Sequence, residues 1–222
     1  MNYIISIINP ESAVTLLSIC EKLKLSSTMV LYGRGTASKS TLDLLGIESR
    51  ERRIVLTAAD NRLTKEFISQ MRRNLYIDTP GRGIVVSVPI KSVGGGKSME
   101  YLNAGKEARG LPKINYEYEL ILAIANEGHA DEVMDAARAA GAAGGTILHG
   151  KGTGAKHAEK FYKISIVEEK EVLIIVSKAE EKAGIMSGIV QSAGPGTPAG
   201  AVVFSLPVSD IAGLKLLDDS EE

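Results

Sequence analysis

The sequence predicts an α+β fold: two tandem βαββαβ units, each a four-stranded antiparallel sheet carrying two helices. Three observations predict it. The stretch LYGRGTASKS at 31–40 returns as LHGKGTGAKH at 148–157, with Leu, Gly, Gly, Thr and Lys unchanged and Arg34 exchanged for Lys151. The match then extends in both directions. At the same offset, IISIINPE (4–11) meets ILAIANEG (121–128). After one inserted residue, RIVLTA (53–58) meets EVLIIV (171–176), and PGRGIVVSVPI (80–90) meets PAGAVVFSLPV (198–208). Finally, each copy alternates strand-length apolar runs with helix-period segments in the same order, which is how a duplicated supersecondary unit reads.

The elements follow in parallel. YIISII and YELILAIA are continuous apolar runs of strand length. Each ends near an asparagine, Asn9 before Pro10 and Asn126 before EGHADEV, and asparagine is a favoured helix N-cap. Ala13, Leu16, Leu17, Cys20 and Leu23 mark the first helix; Val133, Ala136, Ala137 and Ala140 mark its counterpart, with Gly141 placed as a C-cap. STMVLY and GGTILH are second strands, RIVLTA and EVLIIVS third strands. A second helix is expected from about Asn61 to Leu75, on Leu63, Phe67, Met71 and Leu75, and its counterpart on Ala183, Met186, Ile189, Val190 and Ala193. GIVVSVPI and AVVFSLPV are fourth strands. The order β-α-β-β-α-β is that of the ferredoxin-like unit. Residues 1–92 form the first unit, 93–116 a glycine- and charge-rich linker, 117–214 the second unit and 215–222 an acidic tail.

Topology converts this order into a candidate site. Each βαβ crossover makes its two strands parallel. The end of strand one, the β2–β3 connection and the turn into strand four therefore meet at one rim of each sheet. The connections run from about 33 to 52 and from 150 to 169, longer than ordinary hairpin loops. Gly33 and Gly35 flank Arg34, as Gly150 and Gly152 flank Lys151. Glycine allows backbone signs to alternate, turning amide groups inwards around an anion. Thr36 and Thr153 add hydroxyls, and Lys39 and Lys156 add second cations. The turns into strand four, TPGRG (79–83) and GPGTPAG (194–200), reach the same rim and bring Gly81, Arg82, Gly83, Thr197 and Gly200. The expectation is a cradle for a phosphate or carboxylate.

Composition narrows the function. Formal charge is −1, so the molecule has no overall electrostatic footprint for nucleic acid or an anionic membrane. Trp is absent and Phe scarce, so a stacking platform for single strands has little to build with. The single Cys20 excludes an internal disulfide and reads as a buried apolar residue. No apolar run approaches the ~20 residues of a membrane span, and the N-terminus lacks a basic leader, so a cytoplasmic protein is expected. GGGKS at 94–98 falls short of a Walker A loop, which needs a further glycine where Lys91 stands. His149 and His157 flank the second glycine stretch, but the first copy has Tyr32 and Ser40 there, so no metal pair is assigned. No acid–base or nucleophile constellation stands out, and no catalytic residue is named.

On these residues the chain resembles the P-II signalling family of nitrogen regulators. The motifs are the βαββαβ order, GKGTGAKH after strand two and the glycine-rich turn before strand four. The resemblance covers both halves and is closer in the second. It implies a non-catalytic regulator that binds a small anionic effector, an adenine nucleotide such as ATP, ADP or AMP, and acts on a target enzyme or transporter in nitrogen or carbon metabolism. Gly33-Arg34-Gly35 and Gly150-Lys151-Gly152 correspond to the root of the family's long loop. Pro80-Gly81-Arg82-Gly83 and Pro198-Ala199-Gly200 correspond to its phosphate loop, without that loop's Asp and Lys. Tyr162 is the one tyrosine in such a loop. Family members trimerise, which implies a homo-oligomer, favouring a trimer of tandem chains. The alternative is a divalent-metal-binding protein of the copper-tolerance type, which shares a trimeric ferredoxin-like architecture.

Overall fold

The computed structural model describes residues 1–25, 27–37, 49–93, 114–151, 160–161, 164–165 and 169–214. It is an α+β structure that divides into two compact units. Unit 1 takes Met1–Tyr32, Ser38–Tyr116 and Pro207–Glu222; unit 2 takes Gly33–Ala37 and Glu117–Leu206.

Unit 1 contains β1 (Asn2–Ile8), a single 3-10 turn (Pro10–Ser12), α1 (Ala13–Lys22), β2 (Thr28–Gly35, as far as Tyr32), β3 (Glu51–Ala59), α2 (Asn61–Leu75) and β4 (Gly83–Pro89). β1 lies between β3 and β4 and is antiparallel to both, with Ile5 opposite Leu56 on one side and Val86 on the other. β2 flanks β3, so the order 4-1-3-2 is that of the ferredoxin-like unit. α2 starts where Asp60 accepts a hydrogen bond from the Leu63 amide at 2.7 Å, a side-chain N-cap. Its inner face, Leu63, Thr64, Phe67, Ile68 and Met71, keeps helical spacing and is buried. With Ile4, Ile8, Leu16, Ile19, Ile77 and Val85 it forms the unit's core, at whose centre Phe67 is fully buried. Truncating Phe67 to Ala would cost ~3–5 kcal/mol.

A further strand, β11 (Asp210–Ala212), pairs antiparallel on the outer edge of β4, with Asp210 opposite Ser87, Ile211 opposite Val86 and Ala212 opposite Val85. Three residues are too few for alternation to register, so periodicity does not anticipate it.

Unit 2 contains most of β5 (Asn115–Asn126), then α3 (Ala130–Ala139), β6 (Thr146–Lys151), the short strands β7 (Lys160–Phe161) and β8 (Ile164–Ser165), β9 (Glu169–Lys178), α4 (Lys182–Ala193) and β10 (Val202–Val208). The order β10-β5-β9-β6 is again 4-1-3-2. β9 is antiparallel to β5 and to β6, placing Leu173 opposite Ala123 and Ile147. α3 presents Ala130, Val133, Met134 and Ala137, and α4 presents Ile185, Ile189 and Ala193, to a core with Ile121, Leu173 and Ile175.

Two expectations need correction. Gly33, Arg34 and Gly35 are not loop residues: β2 runs through them, and they pair with Leu148, Ile147 and Thr146 of β6. An unpaired β6 edge offers a ladder of amide and carbonyl groups, and glycines with no side chain cost nothing against it. The asparagines at the strand ends do not cap helices. Asn9 precedes the 3-10 turn with no side-chain cap bond, and α3 begins after His129, not Asn126. Both side chains reach across the rim instead. Among the described residues no helix is long and apolar enough to cross a membrane.

Candidate functional site

The rim of unit 2 is built from the ends of three strands and one turn. β5 ends at Asn126. Its backbone amide donates to the Ala199 carbonyl at 2.9 Å, and its side-chain Nδ2 donates to the Pro198 carbonyl at 2.8 Å. The turn into β10 is thereby pinned to the end of the first strand. Gly200 closes this turn at φ 54°, and a Cβ there would meet Asn126 Nδ2 at 3.2 Å. Thr197 holds the turn from inside: its hydroxyl donates to the Gly194 carbonyl at 2.9 Å, and its own carbonyl accepts from the Gly200 amide at 3.1 Å.

β9 supplies three charged residues in succession. Lys170 Nζ donates to Asn126 Oδ1 at 2.6 Å. Antiparallel pairing sets Glu169 opposite Lys151, Lys170 opposite Gly150 and Glu171 opposite His149. Lys151 and Glu169 face each other at 3.7 Å, both exposed. Glu171 is 5% exposed. Its Oε2 accepts from the Ala130 amide at 2.7 Å, and Oε1 lies 3.6 Å from His149 Nδ1. A carboxylate on the first amide of α3 satisfies a donor the helix itself leaves free and complements the helix dipole.

The remaining first-copy residues of the glycine stretch divide into two roles. Thr36 is 7% exposed, and its hydroxyl exchanges bonds with Gly145, accepting from the amide at 2.8 Å and donating to the carbonyl at 3.0 Å. Arg138 donates to the Thr36 carbonyl and to Asp135 at 3.0 Å. Thr36 is thus a structural clasp. Arg34 pairs with Asp131 at 3.2 Å on an exposed surface. The backbone at Gly33, Gly35 and Gly150 is extended strand, with no positive φ, so these amides belong to sheet pairing and form no nest of alternating signs. Lys39, Gly152, Thr153, Lys156, His157 and Tyr162 lie outside the described residues.

The rim of unit 1 repeats the plan with one difference. Asn9 Nδ2 donates to the Gly81 carbonyl at 3.2 Å. Gly83 follows at φ 135°, where a Cβ would stand 2.2 Å from the Ile7 carbonyl oxygen. No other residue fits that approach. Arg82 is exposed, its amide donating to the Thr79 carbonyl at 3.2 Å. Asn9 is 7% exposed, yet its Oδ1 has no partner among the described residues. The residue matching Lys170 in the repeat is Arg52, and its guanidinium instead donates to the carbonyls of Ser49 at 3.1 Å and Glu51 at 2.8 Å. Burial lowers the Arg52 pKa, opposed by the nearby charge of Glu11.

The structure thus brings Lys151, Gly150, Thr197 and Gly200 to one rim, and Gly81, Arg82 and Gly83 to the other. It adds an asparagine and a strand-three cation at each: Asn126 with Lys170, and Asn9 near Arg52. The repeat carried that signal, since Asn9 and Asn126 are identical and a cation opens strand three in both copies. Among the described residues no three His, Cys, Asp or Glu side chains converge on a metal position. Chemically, the unit 2 rim offers an ammonium held by an amide oxygen, a second exposed ammonium, and a tight turn closed by glycine.

Residues 118–216 match the profile of the nitrogen regulatory protein P-II family. No curated protein matches the chain. Among solved structures, an Arabidopsis thaliana PII bound to citrate is similar at 22% identity and a TM-score of 0.33, over 43% of this chain and 80% of that one. A Bacillus cereus protein related to NIF3 is similar at 16% identity and a TM-score of 0.35, over 46% of this chain and only 27% of that one. The second half of the chain, from β5 to just past β11, is therefore the part that carries the P-II pattern.

Proposed function

We propose that this chain is a non-catalytic, P-II-type regulatory protein that binds a small anionic effector, an adenine nucleotide by the family resemblance, at the glycine-containing rim of its second unit. One observation carries the reading: the segment matching the P-II family is also the segment whose rim joins Lys170, Lys151 and the 194–200 turn around Asn126. Among the described residues Lys151 is paired with an exposed carboxylate, Glu169, and such pairs contribute ~0–1 kcal/mol. An effector phosphate can displace Glu169 at little cost. Effector occupancy then alters the contact with a target enzyme or transporter in the cytoplasm. The unit 1 rim, with Arg82 and Arg52, is a second and more divergent position. A trimer of tandem chains is the assembly this reading favours.

The test is a thermal-shift panel of ATP, ADP, AMP, bicarbonate and divalent metal ions against the full chain. A bound effector at a hundredfold excess over its Kd stabilises by about 2.7 kcal/mol. Lys151→Glu lowers nucleotide affinity at least about tenfold, one charge contact being worth on the order of 1.4 kcal/mol. Unchanged affinity in that variant, or stabilisation by metal ions alone, overturns the nucleotide reading.

A further inference from the structure

The repeated asparagine meets different partners at the two rims. In unit 2 the strand ladder sets Lys170 opposite Asn126, and the Lys170 ammonium donates to Asn126 Oδ1 at 2.6 Å. In unit 1 the ladder reaches Ile8 opposite Arg53, so its next step brings Arg52 beside Asn9. Arg52 does not make the corresponding contact. Its Nη1 donates to the carbonyls of Ser49 at 3.1 Å and Glu51 at 2.8 Å. Asn9 does keep the other half of the pattern: its Nδ2 donates to the Gly81 carbonyl at 3.2 Å, as Asn126 Nδ2 donates to the Pro198 carbonyl. The atom left over is Asn9 Oδ1, on a side chain more than nine-tenths buried and without a partner among the described residues. Native chains keep few buried acceptors in that condition, because an unmade bond forfeits the water it displaced. The repeat shows which donor suits this oxygen: a primary ammonium at the end of a methylene chain.

Two further residues separate the rims. Glu11 stands where the second copy has Gly128, and Arg82 where it has Gly200. Both are exposed. Glu11 follows Asn9 by two residues and lies near enough for its charge to act on Arg52. Arg82 directly follows the carbonyl that Asn9 holds. Unit 1 therefore lacks the internal ammonium and has gained one anion and one cation on the turns that flank the same asparagine. A ligand with an ammonium alone would meet the repulsion of Arg52 and Arg82. A ligand with a carboxylate alone would leave Asn9 Oδ1 unpaired. A ligand bearing both charges answers each group, and charge-assisted bonds of this kind are the strong ones.

We infer that the unit 1 rim binds a small zwitterion, a free amino acid, whose ammonium donates to Asn9 Oδ1 beside Glu11 and whose carboxylate pairs with Arg82. The inference gives this rim a ligand of its own, and it rests on the proposed function only in taking the rim as a binding position.

The experiment is titration calorimetry on the full chain, with glycine, glutamate and 4-aminobutyrate as zwitterions and with acetate and methylammonium chloride as their separate halves. At least one zwitterion should bind, and each half should bind at least about tenfold more weakly. Asn9→Ala, which removes no more than one weak bond from the fold, should lower the zwitterion affinity at least about tenfold. Arg52→Lys is the sharper variant. It keeps the charge but, on the pattern of Lys170, lets the chain supply the ammonium itself, and it should also lower the affinity at least about tenfold. A site that held anions alone would be unaffected by that change. Nucleotide binding at the unit 2 rim should survive Asn9→Ala, and zwitterion binding should survive Lys151→Glu, so either reading can fail without the other. No binding of any of the zwitterions, acetate binding as tightly as they do, or unchanged affinity in Asn9→Ala or Arg52→Lys overturns the inference.

Discussion

Replacing Asn126 and Asn9 separately by alanine compares two rims built alike and wired differently. Asn126 makes two side-chain bonds, 2.8 Å to the Pro198 carbonyl and 2.6 Å from Lys170 Nζ. A neutral bond contributes about 1 kcal/mol and one to a charged group about 1.5–3 kcal/mol. Lys170 is half-buried, so its share is taken at the lower end, and Asn126→Ala should cost about 2–3 kcal/mol. Among the described residues Asn9 makes one side-chain bond, 3.2 Å to the Gly81 carbonyl, and carries a buried Oδ1 with no partner. Losing the bond costs about 1 kcal/mol, while removing an unpartnered buried oxygen returns a similar amount, so Asn9→Ala should cost about 0–1 kcal/mol. For a chain of this size a difference of about 2 kcal/mol is roughly 4–8 °C in Tm. The assay is calorimetric melting of the full-length wild type and both variants at one concentration and pH. Equal losses, or a larger loss for Asn9→Ala, would refute the claim that the Lys170–Asn126 contact distinguishes the second rim.

Other outcomes follow from the same structure. Gly83→Ala forces a Cβ to 2.2 Å from the Ile7 carbonyl at φ 135° and should cost about 2–4 kcal/mol, read as a lowered urea midpoint at unchanged m-value. Thr36→Val strands the Gly145 amide, while the Gly145 carbonyl keeps the Thr36 backbone amide at 3.1 Å, and should cost about 1–3 kcal/mol; Thr36→Ser, which keeps the hydroxyl, should recover most of it. Burial pushes the Cys20 thiol above its ordinary value. The folded state therefore holds that proton more tightly than the unfolded chain, and stability present at neutral pH is lost as pH rises beyond the ordinary thiol range of about 8.5. Denaturant midpoints between pH 7.5 and 9.5 should fall less in Cys20→Ala than in wild type.

The fold was legible because the duplication let each weak signal be read twice. α2 spans Asn61–Leu75, where the Leu63-Phe67-Met71 spacing puts it; α3 buries Val133 and Ala137 as expected, whereas α4 buries Ile185 with Ile189 and Ala193 and leaves Ala183 and Val190 exposed. Strand ends were less legible. Gly33-Arg34-Gly35 reads as a turn because local propensity contains no information about β6, the remote partner that makes it strand. The rims themselves were legible in the repeat, the roles of their residues less so. The repeated glycines mark the rim, but Thr36 is consumed by Gly145 and the backbone glycines by pairing. The asparagine–lysine contact depends on register across two strands, and local spacing cannot give it. Glu171 is a similar case: it sits in an apolar strand run, and only the placement of α3 gives its carboxylate an amide to hold.

Unit 1 is not finished until residues 210–212 arrive. The bond between Ser87 and Asp210 spans 123 residues, and β11 is the last of the unit's described strands. A ribosome adding roughly 5–20 residues per second needs on the order of 6–25 s to bridge that interval. During that time the nascent first half exposes the Val85–Ser87 edge. Newly made chains would then be most prone to mispairing with one another, and a fragment ending at the linker would keep that hazard permanently.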